Sequence, residues 1–134
     1  MSISPINEMV IIVAVTAHQH AVCVFITGDI DMAGEPELAN LSRHLAATEC
    51  ASVYVDLAGI TFAGSTLVNF VSRLAGQLPE HIPVILCRPR AFVQHIIELT
   101  ALDQLAAVRG DLPPGWTASP ANVGVPSPIL AAAA

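Results

Sequence analysis

The segment Ser52-Val53-Tyr54-Val55-Asp56-Leu57 is a short apolar run with strand character, and a helical pattern lies on each side of it. Upstream, Leu38, Leu41 and Leu45 recur at helical spacing, with Ala39 and Ala46 beside them. Downstream, Leu67, Phe70, Val71, Leu74 and Leu78 make one apolar face, while Thr66, Asn69 and Arg73 point elsewhere. A strand enclosed in sequence by two helices belongs in the middle of a sheet, where both of its faces are covered. This single arrangement points to the α/β class with a largely parallel sheet.

The remaining elements extend that pattern. Met9–Val15 and Val22–Thr27 are apolar, β-branched runs joined by the polar segment His18–His20, which reads as a hairpin. Gly28 is expected to end the second strand, with Gly28-Asp29-Ile30-Asp31 as its exit. Gly34-Glu35-Pro36-Glu37 looks like a helix start. Proline is tolerated at the first helical position, and the two glutamates suit the positive end of the helix dipole. The first helix is predicted over about Pro36–Thr48 and the second over Ser65–Gln77, with Ala58–Gly64 as the loop before it and Pro79 as the stop after it. Pro83–Cys87 is another buried strand. Pro89 opens a third helix with Phe92, Val93, Ile96, Ile97 and Leu99 inside, and Gln104–Val108 is a last short strand. The expected fold is an α/β domain with a mixed sheet of four to five strands and helices packed mainly on one face. Its first strand pairs antiparallel as an edge.

Composition narrows the function. Hydrophobic residues make up 54% of the 134 positions and charged residues 12%, the opposite of a disordered chain. Net charge is −6, and all five basic residues are arginine. A nucleic-acid partner is disfavoured, because phosphate neutralisation needs a basic stripe, and an anionic membrane surface is disfavoured for the same reason. The one uncharged stretch of membrane-spanning length, Met9–Gly28, carries His18-Gln19-His20 at its middle, so two strands fit better than a span. Met1–Glu8 has no basic region of the kind that opens a signal peptide. Cys23, Cys50 and Cys87 are odd in number and form no CxxC pair; they read as mostly buried, reduced thiols of a cytoplasmic protein. One domain over residues 9–109 is expected, with a short N-terminal extension at 1–8. A flexible tail over 112–134, rich in proline and alanine, completes the chain, with Trp116 or Ile129-Leu130 docking locally.

Sites for chemistry are few. His18 and His20 have no further ligands at metal-binding spacing, so neither a metal nor another cofactor is expected. Gly64-Ser65-Thr66-Leu67 lacks the flanking glycines of a nucleophile elbow, and no phosphate-binding glycine loop is present. His44 reads as a helix-surface histidine and His95 as a partly buried, satisfied one. Pairing either with Ser65 would be the minimum for a small hydrolase. Asp56, near a strand end, is expected to cap the following loop through backbone N–H groups. Ser65 has two readings. It is an N-cap that satisfies an orphan N–H, or it is a phosphorylation switch, since a helix N-terminus favours a phosphate.

Three stretches together resemble one family. Gly28-Asp29-Ile30-Asp31 is similar to a turn before the first helix, Asp56–Phe62 to a strand and its loop, and Ser65-Thr66 to a phosphorylatable serine and the hydroxyl residue after it. Arg90–Leu102 resembles the third helix and its exit. The chain is thereby similar, from about Met9 to Val108, to the STAS domain of bacterial anti-sigma-factor antagonists. The resemblance implies a non-enzymatic switch. The antagonist binds an anti-sigma factor that is also a serine kinase, releases a sigma factor for transcription, is phosphorylated on Ser65 (Thr66 as second choice), and is reset by a phosphatase. Gly28, Asp29, Asp31, Gly64, Thr66 and Asn69 would form the docking surface of a monomer or weak dimer. Two departures stand out. Gly64 occupies the place of the family's aspartate, and Leu67-Val68 that of a glycine and leucine. An alternative is a STAS-like ligand-sensing or scaffold module without phosphorylation.

Overall fold

A computed structural model describes residues 8–15 and 20–112. The tail beyond Leu112, the turn around His18 and residues 1–7 lie outside the described residues. Five strands form one sheet in the order β1(Val10–Val15), β2(Ala21–Ile30), β3(Ser52–Ala63), β4(Val84–Cys87) and β5(Ala107–Arg109). Strand β1 runs antiparallel to β2, and every later pairing is parallel. The crossovers carry α1(Glu35–Ala47), α2(Ser65–Gln77) and α3(Ala91–Thr100). Chain order equals sheet order, so every crossover steps the same way. Right-handed connections then place all three helices on the same face.

The core agrees with that placement. Val24 and Ile26 of β2, Val53, Val55 and Leu57 of β3, and Val84 and Leu86 of β4 pack in one cluster with helix residues. The helices contribute Leu38, Leu41 and Leu45, then Leu67, Phe70, Val71 and Leu74, then Val93 and Ile97. Helix α2 spans the residues expected, and α1 begins and ends one residue early. Cys23 and Cys87 are buried free thiols and Cys50 is half-buried.

Strand β3 departs from expectation. It runs to Ala63, through the stretch read as a loop. Between the pairs Phe25–Asp56 and Thr27–Gly59, two steps of β2 answer three of β3, and a second extra residue enters between Ile60 and Phe62. These bulges break the two-residue alternation by which a strand is recognised, while the ladder continues. Strand β2 likewise continues past Gly28, whose φ of 89° lies in the left-handed region that glycine adopts without strain.

Gly59 sits inside the bulged stretch for a steric reason. A Cβ there would come 2.5 Å from Thr27 Cγ2, on a stiff β-branched side chain. Gly59→Ala is therefore expected to destabilise by about 1–3 kcal/mol, as overpacking does. Gly34→Ala meets only the flexible end of Met9 and is expected to cost less than about 1 kcal/mol. Urea unfolding of the two variants side by side checks the contrast.

Helix α3 buries less than its apolar content suggested. Only Val93 and Ile97, four residues apart, are fully enclosed. Leu99 is 71% exposed and Phe92 38%, and His95 is exposed rather than partly buried. The i, i+4 pair, with Ile96 half-buried against the core beside it, seats this ten-residue helix over the narrow β4–β5 end of the sheet, and Phe92 and Leu99 stay outside.

Candidate functional site

The carboxyl ends of β2 and β3 lie side by side. Asp29 is in register with Phe62 and Ile30 with Ala63, so Asp31 and Gly64-Ser65 leave the sheet as neighbours on one rim. Both crossover helices start from this rim, and ligand and partner sites of open α/β sheets form at such strand ends.

Each candidate residue has a defined place. Gly28 is buried in β2 and shapes the backbone there. Asp29, half-buried, accepts a 2.5 Å hydrogen bond from the Thr61 hydroxyl across the two strands. Asp31 is exposed and accepts a 3.0 Å bond from the Ala33 N–H, capping a single 3-10 turn over Met32–Gly34 that leads into α1. Gly64 is the N-cap of α2, at φ −148°, and a Cβ built on it would touch nothing within 4 Å. The greater conformational freedom of glycine is therefore not what this position needs, and an aspartate has room there.

Ser65 is exposed and is the first residue of α2, one position inside the cap. The expectation that its hydroxyl caps the helix is corrected: Gly64 takes the cap position, and there is no side-chain cap hydrogen bond. The serine hydroxyl thus has no capping duty at an anion-favouring helix end. Thr66 is the reverse case at 3% exposure, turned into the core with Leu67 and Phe70. Its four-residue spacing from Phe70 is the signal that would have placed it on the buried face. Asn69 is exposed one turn further on and donates to Glu35 Oε2 at 3.4 Å, while Arg73 Nη2 reaches Glu35 Oε1 at 3.5 Å. These contacts join α2 to the start of α1.

Two features of the rim escaped the sequence. Met32 is 80% exposed and Phe62 53%, so apolar side chains stand among the carboxylates. Exposure of an apolar residue at a strand end has no signature in local periodicity. The rim is also acidic on its α1 side: Glu8, Asp29, Asp31 and Glu37 line a cavity of about 180 Å³. Among the described residues, no group of three or more His, Cys, Asp or Glu side chains is arranged to hold a metal ion.

Asp56 does not cap a loop. It is 4% exposed, and its two oxygens accept 2.8 Å bonds from Nε and Nη2 of Arg88. Arg88 follows β4 directly and holds a left-handed φ of 53°. A carboxylate buried in a sheet needs such a partner, and this one lies 32 positions away. Arg90 lies further along the rim and donates to the Ile60 carbonyl at 3.4 Å. The hydrolase arrangement is not assembled. His44 stands in the last turn of α1, about 13 Å along the helix from the rim where Ser65 sits, and His95 is on the outside of α3.

Among the described residues, no helix is long and apolar enough to cross a membrane. A family model described as "Mlab, STAS domain" matches residues 13–110. No curated protein matches the sequence. Three solved structures share the fold. An anti-sigma factor antagonist from Mycobacterium paratuberculosis has a TM-score of 0.65 at 20% identity, covering 82% of this chain and 92% of that one. The anti-sigma factor antagonist SpoIIAA in its unphosphorylated form has a TM-score of 0.64 at 15% identity, covering 88% and 100%. An anti-sigma-factor antagonist (STAS) domain protein from Planctomyces limnophilus has a TM-score of 0.59 at 16% identity, covering 74% and 88%.

Proposed function

The chain belongs to the STAS-domain family, and on that footing we propose that it is a cytoplasmic anti-sigma-factor antagonist. In this reading it is a protein-interaction switch, catalyses nothing itself, and has Ser65 as its control point. Unphosphorylated, it docks an anti-sigma factor through the rim formed by Asp29, Asp31, Gly64, Ser65 and Asn69, with Met32 and Phe62 as apolar contacts. Docking frees a sigma factor for transcription. The partner kinase then transfers the γ-phosphoryl group of its own ATP. The Ser65 Oγ–P bond forms as the bond to ADP breaks, and a base on the kinase takes the hydroxyl proton. A phosphatase reverses the step by hydrolysis.

The observation that carries this reading is the contrast between two adjacent hydroxyls. Ser65 is exposed and unused by the cap, whereas Thr66 is buried. A phosphate on Ser65 adds about −1.5 to −2 charges without entering the core. The helix N-terminus tolerates it, while a partner that approaches the acidic rim meets a changed field. Phosphopeptide mapping of the protein isolated from its native cells is the test. Phosphate on Ser65 and none on Thr66 is expected; phosphate confined to other sites removes Ser65 as the switch.

Gly64 favours a second reading, a STAS-like ligand-sensing or scaffold module not regulated by phosphorylation, since the family's aspartate is missing where space allows it. A ligand of the folded state would raise the melting temperature, and a small-molecule screen by thermal shift separates the two readings.

A further inference from the structure

The carboxyl rim of the sheet is sorted by charge. Its α1 side is acidic, with Glu8, Asp29, Asp31 and Glu37 around one cavity and no basic side chain lining it. At the other end, Arg88, Arg90 and Arg109 line a groove of about 410 Å³ with Pro89, Gln94 and Val108, and among the described residues no acidic side chain lines it. Three of the chain's five basic residues thus meet in one place, in a protein of net charge −6. Backbone pairing brings them together. Arg109 ends β5 in register with Cys87, and its carbonyl accepts a 2.8 Å bond from the Arg88 N–H. Arg90 follows two residues on, immediately before α3. The start of α3 has no acid in its first turn and no side-chain cap, so its dipole adds to the positive field.

The three guanidiniums differ in how far the fold uses them. Arg88 is neutralised by buried Asp56. Arg90 is exposed and, among the described residues, makes no ion pair. It is held by the Ile60 carbonyl and by the Phe92 ring, whose centre lies 5.9 Å from the guanidinium carbon, and neither contact cancels its charge. Arg109, also exposed, pairs through Nε with Asp111 at 3.3 Å, a carboxylate whose side chain is 72% exposed. An ion pair so open to water is weak and readily exchanged. It also shows a carboxylate seated at the edge of the groove. We propose that this groove docks an acidic, extended segment of a partner protein, with carboxylates on Arg90 and Arg109 and apolar side chains against half-buried Pro89 and Val108. Guanidinium forks match carboxylate geometry. A groove whose arginines stand open to water suits a peptide chain, whereas small-ligand sites enclose most of what they bind. The acidic remainder of the surface repels such a segment and so confines it to this groove.

This assignment does not depend on the switch at Ser65, and its test leaves that site untouched. The probe is fluorescein-labelled hexaglutamate, titrated into the full chain at low salt and followed by fluorescence polarisation. Binding that high salt abolishes is expected. Arg90→Gln and Arg109→Gln should each weaken it roughly five- to tenfold, with the melting temperature unchanged because both side chains are exposed. Asp111→Asn removes the competing carboxylate and should tighten binding by up to about fivefold. Arg43→Gln makes the same change of net charge on exposed α1 surface and should have little effect. Equal weakening by Arg43→Gln and Arg109→Gln overturns the proposal, because the peptide would then answer only to net charge. Absence of binding at low salt overturns it, as does equal binding of hexaglutamine. Displacement of the peptide by inorganic phosphate but not by acetate, at matched ionic strength, also overturns it, because the groove would then take a small oxyanion.

Discussion

Ser65→Asp is expected to weaken binding of the anti-sigma partner by roughly a hundredfold while leaving the fold as stable as before. Enclosing an unpaired carboxylate where the interface is fitted to a neutral hydroxyl costs several kcal/mol, and about 1.4 kcal/mol is a factor of ten. The rim already carries Asp29, Asp31 and Glu37, so a partner fitted to it has little freedom to absorb another negative charge. The same substitution places an acid on the first residue of α2, where the helix dipole favours it by about 0.3–1 kcal/mol. Thermal unfolding should therefore be unchanged or slightly higher. Thr66→Asp provides the contrast. It puts a carboxylate into a position 3% exposed and should lose stability and binding together. Titration of the purified partner against the variants, alongside melting curves, separates a surface switch from a folding defect.

Arg88→Ala is expected to lower stability by about 2–4 kcal/mol. Removing one partner of a buried ion pair leaves an uncompensated charge, at a cost of about 3–5 kcal/mol when both are enclosed. Arg88 keeps 32% of its side-chain exposure and Asp56 only 6%, so water screens the loss in part. The left-handed backbone at residue 88 burdens alanine and arginine alike, so the difference reports the side chain. The urea midpoint should fall with little change in slope. Replacing both partners together, Asp56→Leu with Arg88→Met, should recover much of the loss because no charge is left stranded. A change below about 0.5 kcal/mol for Arg88→Ala would mean that Asp56 is hydrated in solution.

What could be read from the sequence divides along the range of the interactions. Helix α2 was legible to the residue because Leu67, Phe70, Val71 and Leu74 share one face and Pro79 ends the pattern. The antiparallel first strand and the parallel remainder followed from a hairpin succeeded by helical crossovers. The second half of β3 was not legible, because its two bulges and Gly59 imitate a loop. Asp56 was read locally, whereas its partner comes from the next strand's end. Phe92 and Leu99 look like core residues in any window of sequence, and only the narrowness of the sheet beneath α3 leaves them outside. At the rim, the order of Asp29, Asp31 and Ser65 along the chain was enough to bring them together through parallel pairing. The shift of Ser65 from cap to first helical residue turned on which of two neighbours, Gly64 or Ser65, takes the cap. Propensity favours serine there, yet the backbone put glycine in that place.

Affinity co-purification of the wild-type chain and Ser65→Asp from the native cells, with mass spectrometry of the retained proteins, tests the switch most directly. The expected result is an anti-sigma factor with a serine-kinase domain held by the wild type and lost by the aspartate variant. Retention of the same partner by both would contradict control through charge at Ser65, and retention of no such kinase by the wild type would contradict the antagonist function itself.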